Sequence, residues 1–118
     1  PRPAYKTLQA SSYDRASKTP AEHDAWFANK DWGQWIRIEE KDGRQEAVMM
    51  EADGPGAIVR IWSANPDKAG KIRIYIDGSA EPAIETELAT LLGGQYPGLP
   101  EPIAGERSKG WNLYFPFP

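Results

Sequence analysis

The 118-residue chain contains no cysteine, which excludes a disulfide framework, a thiol nucleophile and any thiolate metal site. That absence is compatible with either side of a membrane. A single histidine, His23, rules out any site needing two, so zinc catalysis is disfavoured. Between Glu22 and Asp24, His23 reads as a solvated helical turn; the competing reading is a metal or proton-shuttle role. Charge of one sign is also scarce. Fourteen Lys and Arg against seventeen Asp and Glu leave a net charge of -3, with no electrostatic footprint for a phosphate backbone or an anionic bilayer. Neither nucleic acid nor membrane is an expected partner. The longest uncharged run, Leu88 to Pro100, is interrupted by Gly93, Gly94, Pro97, Gly98 and Pro100, and falls short of the roughly 20 apolar residues that span a bilayer. A phosphate loop is missing too, because Gly54-Pro55-Gly56 leads into an apolar, strand-like run where the dinucleotide fingerprint requires a helix.

What is present is all-β punctuation. Eleven glycines and eleven prolines are spread between short apolar segments and do not gather in one linker. Residues 35–53 form the clearest hairpin, two extended runs around Lys41-Asp42-Gly43-Arg44, with Asp-Gly suited to a two-residue turn of positive φ. Ile36 and Ile38 alternate with Arg37 and Glu39 and are expected to face a core. Asp53-Gly54-Pro55-Gly56 predicts a tight turn, and residues 57–63 a strand apolar on nearly both faces, hence central in its sheet. Residues 71–77 alternate with Ile72, Ile74 and Ile76 inward; residues 82–87 read as a short edge strand. Glu87 to Leu92, before Gly93-Gly94, predicts one helical turn. Residues 1–34 lack sustained periodicity, with one possible helix over Pro20 to Asn29 capped by Thr19. At the other terminus Trp111, Leu113, Phe115 and Phe117 alternate in a strand that runs off the end of the chain, as in a truncated domain. Pro1 in place of Met suggests that residue 1 is not the translation start, and that a secretory signal is absent or already removed. The expected organisation is one domain, with an irregular region over 1–34 and part of a β-sandwich over 35–118.

Five tryptophans and five tyrosines, several beside carboxylates and arginines, are what a sugar-binding surface contains. Aromatic faces pack on the C–H face of a sugar ring while Asp, Asn and Arg bond its hydroxyls. Trp62 and Trp111 are expected to be structural; Trp26, Trp32 and Trp35, in or beside the irregular region, are the pocket candidates. Ser12, Asp14 and Arg15, within Ser11-Ser12-Tyr13-Asp14-Arg15, either form a surface turn or hold a ligand through a charge-ordered loop. Asp31 and Trp32 likewise either make a plain turn or set an acceptor beside an aromatic platform. Ser12, Asp14, Arg15, Asp31 and Trp32 are therefore the candidate ligand contacts. Glycoside hydrolysis needs two carboxyl groups across the scissile bond, and sequence spacing fixes no such pair among the seventeen acids.

Taken in order, Ser11-Ser12-Tyr13-Asp14-Arg15, Asp53-Gly54-Pro55-Gly56-Ala57-Ile58-Val59-Arg60-Ile61-Trp62, Ile72-Arg73-Ile74-Tyr75-Ile76-Asp77-Gly78 and Tyr114-Phe115-Pro116-Phe117-Pro118 form a series. It resembles the N-terminal part of glycoside hydrolase family 172, also known as domain of unknown function 2961. The resemblance implies a jelly-roll β-sandwich, homo-oligomeric assembly of the full-length protein, no metal or other cofactor, and exo-acting hydrolysis or transglycosylation of fructofuranosides or arabinofuranosides. It places the family's catalytic glutamates beyond the matching stretch, so no catalytic residue is assigned and the chain is expected to contribute scaffold and part of a sugar pocket. The alternative is a non-catalytic carbohydrate-binding or structural β-sandwich module. The open terminal strand predicts self-association of the chain in isolation.

Overall fold

A computed structural model describes residues 4–22, 24 and 26–115; the expectations placed on His23 and Phe117 lie outside these. The chain divides into two compact units, Pro1–Gly54 and Pro55–Pro118. In the first, β1 (Arg37–Lys41) and β2 (Arg44–Val48) form an antiparallel hairpin whose register runs from Arg37 opposite Val48 to Lys41 opposite Arg44. Its turn is Asp42-Gly43, with φ of 52° and 75°. Two successive positive values are what a two-residue turn needs to match strand twist, and Gly43 takes its value without steric cost.

The second unit holds the core. Its strands are β3 (Arg60–Ser63), β4 (Lys71–Ile74), β5 (Ile84–Glu87), β6 (Ala104–Arg107) and β7 (Gly110–Tyr114), with a 3-10 turn at Pro66–Lys68 and one helix, α1 (Leu88–Leu92). β3, β7 and β6 make a three-stranded antiparallel sheet in that order, and β4 pairs with β5 in a second antiparallel ladder. Leu88, Leu91, Leu92, Ala104 and Leu113 are buried, with Ile61, Ile72, Ile84 and Trp111 packed against them. Along β7 the alternation of a strand sends Trp111 and Leu113 into this cluster and Gly110, Asn112 and Tyr114 to the opposite face. α1 starts where the β5 ladder ends, and Gly93 follows its last turn. A Cβ at Gly93 would stand 2.7 Å from the Ala89 carbonyl and 2.9 Å from the Trp111 ring, so glycine lets the helix end against the indole. No helix among the described residues is long and apolar enough to cross a membrane.

Several expectations need correction. The segment 57–63 is not a central strand: β3 lies at the sheet edge and the terminal β7 is central, because β7 pairs on both sides. Trp62 is consequently not core but 55% exposed, on the face opposite Ile61. Ile76 is exposed as well; β4 stops at Ile74, and Asp77 and Gly78, with φ of 55° and 70°, turn the chain immediately after Ile76. Ile36 and Ile38 are about half exposed, since among the described residues no buried apolar cluster exists in the first unit. No helix forms among the described residues of 20–29. Thr19 accepts one turn bond from the Glu22 amide, and side chains elsewhere in the unit claim the backbone from Ala28 onward, in competition with helical bonding.

Replacing Leu113 by Ala should cost roughly 2–5 kcal/mol in urea unfolding, because the cavity opens in the closed cluster. Ile38→Ala should cost less than about 1 kcal/mol, since its side chain is half in water already. Equal losses at the two positions would contradict this assignment of the core.

Candidate functional site

With no buried apolar side chain among its described residues, the first unit is tied together by side chains bonded to backbone. Asp14 is its centre. One carboxylate oxygen accepts the Ala16 amide at 3.0 Å and the other the Lys30 amide at 2.9 Å, while the Asp14 amide donates to Asp31 Oδ1 at 2.9 Å. The two aspartates thus clasp each other's segments. Three residues along, the Ser17 hydroxyl accepts the Ala28 amide at 3.1 Å and lies 3.2 Å from the Ala28 carbonyl, to which it donates. Residues 14–17 and 28–31 are therefore zipped by side chains where a sheet would use its ladder, which satisfies backbone groups that an irregular segment would otherwise leave to water.

Residues 11–14 form no regular element, and Arg15 stands in a turn closed by the Ser17 amide donating to the Asp14 carbonyl at 3.0 Å. Ser11, Tyr13 and Arg15 line an open groove of about 840 Å3, whose other walls include Gln34, Ile36, Met49 and Glu51. Arg15 is locked in place by its own loop. Its guanidinium donates to the carbonyls of Tyr13 and Ser11, the latter at 2.8 Å, and lies 4.2 Å from the centre of the Tyr13 ring. Opposite, Glu51 takes a two-pronged bond from Arg37 at 2.8 and 2.9 Å, which holds the Glu51 carboxyl below its usual range.

Of the five candidates, Asp14 and Asp31 come together in the clasp, and Arg15, next in the chain, turns into the groove. Ser12 is exposed and is not among the groove's lining residues. Trp32 is 86% exposed and meets Trp35 edge-on, with ring centres 5.3 Å apart. Sequence reading did not single out Ser11 or Tyr13 as contacts; only their nearness to Arg15, four and two residues before it, pointed to them. No such signal marks Ser17, whose partner Ala28 lies 11 residues away. Among the described residues no group of three or more His, Asp or Glu stands close enough to hold a metal ion.

The antiparallel ladders of the second unit, closing on one aliphatic core, are those of a β-sandwich domain. The family model for the GH172 first beta-sandwich domain matches residues 3–118, and the chain belongs to this glycoside hydrolase family. No curated protein and no solved structure matches it.

The backbone amides of Ala16 and, next, Lys30 hold the Asp14 carboxyl below the ordinary aspartate range, with the charges of Lys30 and Arg15 adding to the effect against partial burial. Because the folded value lies under the unfolded one, the clasp's contribution is complete above about pH 3.9 and is lost as pH falls through the folded value. In an NMR titration the Ala16 and Lys30 amide protons should hold steady down to that region and then move together. Separate midpoints, or movement well above it, would show that Asp14 does not tie both segments.

Proposed function

We propose that this domain supplies scaffold and one wall of the sugar pocket in a glycoside hydrolase acting on fructofuranosides or arabinofuranosides. Arg15 is the contact within the groove, Ser12 and Trp32 are contacts for a substrate that extends beyond its lining, and Asp14 and Asp31 act as positioning residues. The observation that carries the reading is the presentation of Ser11, Tyr13 and Arg15 on one side of a segment fixed from its other side by the Asp14 carboxylate. A sugar in the groove would meet the apolar edges of Ile36 and Met49 and the polar groups of Ser11, Gln34 and Arg15. That mixture suits a ring with C–H faces and hydroxyl rims. Membership of a glycoside hydrolase family supports the substrate class, and the furanoside assignment follows the resemblance of the motifs. On that same reading the partner is carbohydrate and the full-length protein is a homo-oligomer.

Asp14 has both oxygens engaged by backbone amides, so its part is to hold Arg15 and Tyr13 in place and not to move protons. The resemblance places the reacting carboxyl pair in the rest of the full-length gene product. The test uses that product in full, with aryl α-fructofuranoside and aryl α-arabinofuranoside as substrates. Arg15→Ala should lower kcat/KM by about 10–100-fold through loss of charged hydrogen bonds to substrate. Trp32→Ala should act mainly on KM. Turnover of neither furanoside by the unaltered protein would overturn the substrate assignment, and unchanged kinetics in both variants would overturn the pocket role.

A further inference from the structure

The outward face of the three-stranded sheet carries a second arrangement. By register, Arg60 and Trp62 of β3 lie beside Tyr114 and Asn112 of β7, and Gly105 of β6 lies beside Asn112 on the far side. Asn112 is buried and makes three side-chain hydrogen bonds. Its Oδ1 accepts from Arg60 at 2.7 Å and from the Tyr114 hydroxyl at 3.4 Å, and its Nδ2 donates to the Gly110 carbonyl at 3.0 Å. Arg60 also stands 5.4 Å from the Tyr114 ring centre. Two glycines leave room for their neighbours: a Cβ at Gly110 would come 2.5 Å from the Trp62 indole nitrogen, and one at Gly105 would come 3.0 Å from a carboxylate oxygen of Glu101. The indole is thus seated on bare backbone, with over half of the residue still open to solvent.

We infer that this face is a binding site for a sugar ring, which stacks on the open side of Trp62 while Arg60 and the Tyr114 hydroxyl bond its hydroxyls. A face meant for dry burial against another sheet would carry apolar groups at these outward positions. Here two glycines, a hub asparagine and an arginine with four of its five N–H donors not taken by Asn112 occupy them. Desolvating that guanidinium against apolar surface is costly, whereas a polyhydroxylated ring offers acceptors for it and C–H groups for the indole. The inference takes its ligand class from the family reading above but uses none of the groove residues.

The test is an NMR titration of the 15N-labelled 118-residue chain with a fructo-oligosaccharide and an arabinofuranosyl oligosaccharide, run in parallel. The Trp62 indole N–H signal, identified by its loss in Trp62→Phe, should move saturably with one of the sugars. Binding should weaken about tenfold in Arg60→Ala, an exposed change that spares the core, and comparably in Gly110→Ala, whose methyl evicts the indole. A Trp62 signal that ignores both sugars, or shifts only with protein concentration, would overturn the inference, the second result marking the face as a contact between copies of the chain. So would wild-type affinity in Arg60→Ala. Failure here leaves the kinetics of Arg15→Ala untouched, and inert Arg15→Ala kinetics leave this titration untouched, so the two readings fall separately.

Discussion

The central strand β7 carries the second unit, because the two sides of its pleat meet opposite demands. Trp111 and Leu113 point into the buried aliphatic cluster of the second unit, where α1, β6 and the β4–β5 ladder converge. Gly110, Asn112 and Tyr114 face away, and the amide of Asn112 makes three bonds there. A slip of one residue in its register would send Leu113 to water and Asn112 to the core, so both faces specify the same pairing. Among the described residues no buried side-chain nitrogen or oxygen lacks a partner, so the polar side of this strand costs little stability.

The first unit reaches order by another route. Its described residues include no buried apolar side chain to organise it, and its fixed points are directional: the Asp14 and Asp31 clasp, the Ser17 bridge to Ala28, and the fork of Arg37 onto Glu51 beside Glu39. Directional bonds constrain angles as well as distances, which suits a surface that must present particular side chains. The isolated ion pairs around it, such as Lys18 with Glu22, are exposed and contribute little.

Much of the fold was legible because it rests on local rules. Asp42-Gly43 announces its turn, Gly93 the end of α1, and the alternation of Trp111, Leu113 and Phe115 the innermost strand. Harder to read was anything decided by distant partners. The apolar character of residues 57–63 suggested a strand covered on both sides, yet its position depends on pairing with residues some fifty places later. Trp62 looked like core for the same reason, and only Gly110, diagonal to it on the neighbouring strand, explains where its ring goes. At the candidate site, composition drew attention to Ser12, Asp14 and Arg15 together. The chain in fact turns Asp14 inward and Arg15 outward, a distinction set by the turn that the Ser17 amide closes on the Asp14 carbonyl.

The contrast between the two units has a calorimetric consequence. Unfolding absorbs heat capacity in proportion to the apolar surface it hydrates, and the described residues of the first unit include no buried apolar side chain while the second closes on Leu91, Leu92 and Leu113. Nearly all the curvature in the chain's stability with temperature therefore originates after Gly54. Cold weakens the aliphatic half first and leaves the carboxylate-stitched half largely indifferent.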